Sequence, residues 1–220
     1  MVAPGYYSHP RTQMRAFVPD QARTLLDVGC GDGAFADGLR EQRRQRGRYL
    51  EVWGLELDPD AAARASERMD RVLVGDAEDL VRGLPAGFFD CVILNDVVEH
   101  LAWPEPLLAS LRRVLAPGGC LVASIPNVRH FPNVWDLAVR GDWEYREEGI
   151  LDRTHLRFYT RESMRGLFAR SGYRVVTQAG INPTRSWRFR LANALALGRL
   201  RDMQFLQYAC VAIPEPETPA

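Results

Sequence analysis

The sequence predicts an α/β protein built on a doubly wound, mostly parallel sheet. Two observations carry that prediction. Five short apolar runs alternate along the chain with stretches of helical periodicity. The first run passes through a glycine-rich turn straight into a helix start, the local form of an anion- or cofactor-binding cradle.

That first run is Leu25, Leu26 and Val28, followed by Gly29-Cys30-Gly31-Asp32-Gly33 and a helical stretch with Phe35 and Leu39 on one face. Glycines let the backbone adopt positive φ and approach a ligand closely. Gly29-x-Gly31-x-x-Ala34 satisfies the dinucleotide fingerprint, so a nicotinamide-dependent oxidoreductase stays open on the loop alone. Asp27 argues the other way. A carboxylate two residues ahead of the first glycine repels a diphosphate and suits a ligand that carries an ammonium group.

Ahead of this core, residues 1–22 hold Tyr6, Tyr7, His9, Pro10 and Arg11, then a short helical pattern from Thr12 to Val18. Two readings stand, a packing arm and a lid whose aromatics and Arg11 touch a bound ligand. The arginine-rich run 40–48 reads as a solvated helix end capped by Gly47. Glu51 to Asp58 is a second strand ending in acids. Glu56 can accept both hydroxyls of a ribose, while Asp58, ahead of Pro59, reads as the N-cap of a helix over 60–69. Arg71 to Val74 is a third strand with Asp76 at its carboxyl end, either a ligand acceptor or a turn acid. Phe89 to Leu94 is a fourth, running into the polar cluster Asn95, Asp96, Glu99 and His100. A helix over 106–115 ends at Ala116-Pro-Gly-Gly119, and the fifth strand runs from Cys120 to Ile125. Thr160 caps a helix through Ala169 that Gly172 stops. Two last strands, at 175–177 and 208–213, flank an insertion at 182–205 with Leu191, Leu195 and Leu197 on a helix.

Several function classes are excluded or made unfavourable by composition. The 28 basic and 28 acidic residues cancel, so no global field recruits nucleic acid. Every basic residue is Arg, which reads as codon bias. Cys30, Cys91, Cys120 and Cys210 lack paired spacing and read as reduced, buried thiols, with no disulfide frame, no zinc site and no other metal site. No apolar run reaches the length of a membrane span, and the expectation is a cytoplasmic protein, monomeric or homodimeric.

Taken together, Leu26-Asp27-Val28-Gly29-Cys30-Gly31-Asp32-Gly33, Gly54-Leu55-Glu56, Gly75-Asp76-Ala77, the Phe89-to-Ile93 strand and Leu115-Ala-Pro-Gly-Gly119 resemble the motifs of the class I S-adenosylmethionine-dependent methyltransferases. The resemblance spans the chain. It implies a Rossmann-like seven-stranded sheet, with an antiparallel strand inserted between the fifth and sixth. It also implies S-adenosylmethionine as cofactor, with S-adenosylhomocysteine as product. The implied cofactor contacts are Asp27, Gly29, Cys30, Gly31, Gly33, Glu56, Leu57, Asp76, Ala77, Asn95, Asp96 and, from the arm, Arg11. Asp76 would accept from the adenine amino group and the Ala77 N–H would meet a ring nitrogen. The domain would run from 23 to 213, with insertions 127–159 and 182–205 as an acceptor-side cap and 214–220 as a flexible tail. Ser124 to His130, Gly141 to Tyr145 and Gly149 to Tyr159 are further similar to a bacterial subgroup associated with glycan and natural-product pathways. This implies a small-molecule acceptor, a sugar or glycosylated metabolite, with no nucleic acid and no membrane as partner.

Methylation of a hydroxyl needs a group to take its proton, and a histidine is the natural choice. His155, with Asp152 as an orienting carboxylate, is the first candidate base and His100 the second; a structural hydrogen-bonding role is open for both. Trp135, Trp143, Tyr145, Phe158, Tyr159 and Trp187 form either a wall for an apolar or sugar-like acceptor or a small core beneath the insertions. Arg129, Arg153, Arg157, Arg185 and Arg188 are candidates for an acidic group on the acceptor or for plain surface residues. Two rivals to the catalytic reading remain, the nicotinamide enzyme and a catalytically silent cofactor-binding partner subunit.

Overall fold

Leu25, Leu26 and Val28 are buried on both faces because their strand, β1 (Thr24–Val28), lies in the middle of the sheet. The computed structural model describes residues 11–216. Beside β1 run β2 (Glu51–Glu56), β3 (Arg71–Val74), β4 (Phe89–Asn95) and β5 (Leu115–Pro126), these five all parallel to one another. The last two strands are β6 (Tyr173–Pro183) and β7 (Phe205–Pro214), and β7 pairs antiparallel with both β5 and β6. The order is β3-β2-β1-β4-β5-β7-β6, so the seventh strand sits between the fifth and sixth.

Alternation along β1 sends Leu26 and Val28 to one face and Leu25 and Asp27 to the other. The first face packs against α3 (Ala77–Arg82), α4 (Pro104–Val114) and α6 (Arg161–Arg170), through Val81, Leu107, Leu111 and Leu167. The second packs against α1 (Ala34–Arg44), α2 (Pro59–Ser66) and a 3-10 turn at Thr12–Phe17, through Leu39, Ala65 and Met14. Asp58 caps α2 by accepting from Ala61 N at 2.8 Å, and a reciprocal Thr160–Ser163 pair caps α6, as the sequence predicts for both acids and hydroxyls at these positions.

Five segments depart from expectation. β5 begins at Leu115, five residues early, because Leu115 pairs with Phe89 before a register shift lets Pro117 to Gly119 bulge and Cys120 pair with Cys91. β6 extends to Pro183 through a long antiparallel ladder with β7, which shortens the second insertion to 184–204. Its helix, α7 (Trp187–Leu195), ends before Leu197, which adopts φ +53 past the helix end. At the α1 end, Arg43 is buried, not solvated: its guanidinium reaches the carbonyls of Val18 and Pro19 and pairs with Asp20. The segment expected to fray at 214 is tied for two residues more, since Glu215 N donates to Gly172 O and Arg112 to Glu215 O. The first insertion holds α5 (Phe131–Trp135) and closes on itself where Asn127 bridges Tyr159. Tyr6, Tyr7, His9 and Pro10 lie outside the described residues. Among the described residues no helix is long and apolar enough to cross a membrane.

Candidate active site

Strand order reverses between β1 and β4, and the carboxyl ends of those strands are where an open α/β sheet leaves a crevice. The glycine turn opens there. Gly29, Gly31 and Gly33 have φ of +68, +57 and +80, so no side-chain-bearing residue fits the turn without strain. A Cβ at Gly29 would also stand 2.8 Å from Val97 Cγ2. Gly29 N and Cys30 N donate to Leu55 O at 2.8 and 3.1 Å, fastening the turn to the end of β2.

Glu56 completes that fastening. It is buried, and its Oε2 accepts from Gly31 N at 2.7 Å while Oε1 accepts from Asp58 N at 2.9 Å. Each oxygen keeps a further lone pair for an outside donor. Asp27 is only 2% exposed, and burial, with the Glu56 charge adding to it, pushes its carboxyl up to about 7. Burial likewise drives the Cys30 thiol well above its ordinary range, so Cys30 lines the turn as an unreactive thiol. At the end of β4 both polar atoms of the Asn95 amide are buried without a partner among the described residues.

The remaining predicted contacts sit around this centre. Leu57 is 70% exposed beside Glu56, offering an apolar side chain at the crevice rim. Asp76 caps α3, accepting from Glu78 N at 2.7 Å with one oxygen, and Ala77 is the first residue of that helix. Asp96 adopts φ +53 and is gripped by Ser124 Oγ at 2.7 Å, by Gln207 Nε2 at 2.8 Å and by an ion pair with Arg11. Arg11 therefore carries the base of the N-terminal arm onto the strand ends. The sequence marks Ser124 only as the start of a motif and gives no signal for Gln207, because both reach Asp96 from other strands, β5 and β7.

The candidate bases come together as well. Val98–His100 forms a 3-10 turn after β4, and Glu99 O accepts from Leu156 N and Arg157 N at 2.8 and 3.0 Å, which docks the first insertion. His100 and His155 pack edge to face with ring centres 4.7 Å apart. Burial, with the His155 ring beside it, lowers the basicity of His100. Asp152 does not orient His155. Its Oδ1 accepts from Thr154 N and Oγ1 at 2.8 and 2.6 Å, whereas His155 Nδ1 lies 2.9 Å from Ile150 O. The carboxylate facing His155 Nε2 is that of Glu99, at 4.0 Å. The sequence places Glu99 in the polar cluster after the fourth strand but does not show that it faces His155.

Most of the proposed arginine and aromatic contacts have structural partners. Arg129 pairs with Asp202, Arg153 with Glu147, and Arg157 donates to Ala102 O. Trp135 packs on the small core of Phe131, Phe189 and Met203, Tyr159 belongs to the main core, and Trp187 is largely exposed.

The donor set of the crevice fits a ligand with an ammonium group and vicinal hydroxyls. Two buried carboxylates flank the turn, and the nearby cations Arg11 and Arg68 are paired with Asp96 and Asp32. A diphosphate over residues 29–33 would meet the Glu56 charge and, above about pH 7, that of Asp27 as well.

This sheet order with its antiparallel β7 defines the class: a Rossmann-like methyltransferase fold. The chain belongs to the methyltransferase-domain family, whose model matches residues 4–178. It is 31% identical over 157 residues to a malonyl-[acyl-carrier protein] O-methyltransferase of Geobacter sulfurreducens, covering 69% of this chain but only 56% of that protein's length. Over 189 residues it is 30% identical to a ubiquinone biosynthesis O-methyltransferase of Cereibacter sphaeroides, covering 82% of this chain and 72% of the relative. A S-adenosylmethionine-dependent methyltransferase from Archaeoglobus fulgidus shares the fold, with a TM-score of 0.64, 21% identity and 91% of each chain covered.

Proposed function

We propose that the protein transfers a methyl group from S-adenosylmethionine to an oxygen of a small-molecule acceptor, a hydroxyl of a sugar or glycosylated metabolite. The observation that carries the donor half of this reading is the pair of buried carboxylates, Asp27 and Glu56, on either side of the glycine turn. Asp27 pairs with the ammonium of the amino-acid tail and Glu56 accepts the ribose hydroxyls. Asp76 and the Ala77 N–H take the adenine edge, Leu57 lies against its face, and Asn95 spends its orphaned amide on the tail. Bound S-adenosylmethionine supplies a methyl carbon already activated by its sulfonium. The chain's own task is then alignment and exclusion of water, and alignment alone is worth about 7–11 kcal/mol of barrier.

Oxygen as the acceptor atom is supported by the two O-methyltransferase relatives. A hydroxylated acceptor is supported by a recess of about 200 Å³ in the first insertion, lined by Asn133, Asp136, Asp142, Glu144 and Arg146. Its carboxylates accept from hydroxyls as sugar-binding walls do. Ile150, whose carbonyl holds His155, lines the same recess. His155 takes the hydroxyl proton in this reading, and His100 is its alternate.

Isothermal titration with S-adenosylhomocysteine and with NAD tests the donor half, with binding of the first and none of the second expected. Tight NAD binding without S-adenosylhomocysteine binding would return the nicotinamide reading. Transfer of labelled methyl to a glycoside panel tests the acceptor half. Replacing His155 by Ala should then cut turnover by about 10²-fold or more at unchanged cofactor affinity. Cofactor binding with no transfer across a broad panel would identify a silent partner subunit.

A further inference from the structure

Three groups that could bind a cation converge where the first insertion meets the end of β4. One ligand atom from each of Glu99, His100 and His155 lies within 4.8 Å of the others. Both Glu99 oxygens are buried and have no hydrogen-bond partner among the described residues, and the side chain is 1% exposed. Burial strips such a carboxylate of its hydration, which is costly unless a cation or a proton occupies the site.

The imidazoles are set to fill the gap. His155 Nδ1 is 2.9 Å from the Ile150 carbonyl, which can only accept, so Nδ1 carries the proton and Nε2 presents its lone pair toward Glu99. His100 Nδ1 likewise faces the Thr154 carbonyl at 3.3 Å and the Thr154 hydroxyl at 3.1 Å. Backbone carbonyls that fix the tautomer from behind are the usual outer partners of metal-ligating histidines.

We propose that Glu99, His100 and His155 bind one first-row divalent cation, of the zinc, manganese or iron class, with open coordination positions facing the acceptor side of the crevice. Two imidazoles and one carboxylate select such ions over magnesium or calcium, which prefer all-oxygen shells. Three protein ligands leave room for exogenous oxygens, so the ligand class admitted is a hydroxyl or a pair of adjacent hydroxyls on the acceptor. This use of the ion rests on the methyltransfer reading and replaces the general-base role of His155 and His100, whose lone pairs are then spent on the ion; the binding of the ion does not rest on it. The sequence reading of no metal site considered only cysteine spacing, and these three ligands are brought together by the insertion.

The test uses the untagged full chain, stripped with a chelator and titrated with Co²⁺ for its visible absorption and with Zn²⁺ by calorimetry, with no cofactor or acceptor present. One ion per chain is expected, with loss of affinity in Glu99→Gln and His155→Ala beyond the ~10–100-fold that changes in outer-shell partners cost. His130→Ala, a histidine outside the cluster, should bind as wild type. Absence of stoichiometric binding in the wild-type chain overturns the site, and so does undiminished binding in both variants. If the variants do not fold, protection of His100 and His155 from diethylpyrocarbonate by Zn²⁺ in the wild-type chain decides it, and labelling unaffected by the ion counts against the site. A parallel titration of the stripped protein with S-adenosylhomocysteine keeps a failure of the cofactor reading separate from a failure of the metal.

Discussion

Two buried glutamates, Glu56 and Glu99, stand at the ends of neighbouring regions of one sheet and are treated in opposite ways. Glu56 receives two backbone N–H donors, from Gly31 and Asp58, and so holds the glycine turn to β2. Glu99 receives no donor from another residue among those described, and burial pushes its carboxyl up to about 8 against its own backbone N–H and the Arg11 charge. The first carboxylate is part of the scaffold as well as of the site. The second contributes nothing to the fold through its side chain, although its backbone carbonyl docks the insertion. A buried acid that is not used to build is placed there for something it binds.

The sharpest way to break this contrast is to remove Glu56. Glu56→Ala leaves two backbone donors unpaired and should cost about 3–5 kcal/mol in chemical denaturation, and it should weaken S-adenosylhomocysteine binding by about 1–3 kcal/mol. Unchanged stability would show that the turn holds itself. The reciprocal change should act with the opposite sign. In metal-free protein, Glu99→Leu should raise stability by about 1–2 kcal/mol, since apolar replacement of an uncompensated buried acid is neutral or favourable. A loss of similar size would mean that Glu99 has an internal partner after all.

A smaller effect separates the Asp27 side of the site. Its carboxyl is raised from 3.8 to about 7, chiefly by burial, with the Glu56 charge raising it further and Arg11 opposing. The folded chain thus holds a proton that the unfolded chain has released, so unliganded stability falls as pH rises from about 4 to about 7. An ammonium ligand needs the ionised form, so S-adenosylhomocysteine affinity should rise over the same window, by at most about tenfold per pH unit. Denaturation and calorimetry across that range should give opposite slopes, and Asp27→Asn should flatten the binding slope while removing only the Asp27 share of the stability slope, since Glu99 acts in the same sense up to about 8. Parallel slopes would place the ammonium elsewhere.

What could be read from the sequence follows the same division. The caps at Asp58 and Thr160 depend on neighbours a few residues away, and the glycine turn, Asp27 and Glu56 sit at fixed offsets from strand ends, so spacing and residue type reveal them even though Glu56 meets the turn across 25 residues. Lengths of β5 and β6 depend on partners far along the chain: Phe89 draws in Leu115, and β7 extends β6 to Pro183. The Asp152–His155 spacing suggested an orienting pair, but a tight turn spends Asp152 on Thr154 and leaves His155 to Ile150 and Glu99. Glu99 and His155 are 56 positions apart (155 − 99), and only docking of the insertion makes them neighbours.

The bridge between Asn127 and Tyr159 brings both ends of that excursion side by side on the sheet. A detour whose two feet touch can grow, shrink or be exchanged without disturbing the strands beneath, because each doubling of its length adds only about 0.6 kcal/mol of closure entropy. In the function proposed above, residues 127–159 choose the recipient while the sheet presents the donor, and grafting them between relatives should then move recipient preference along with them.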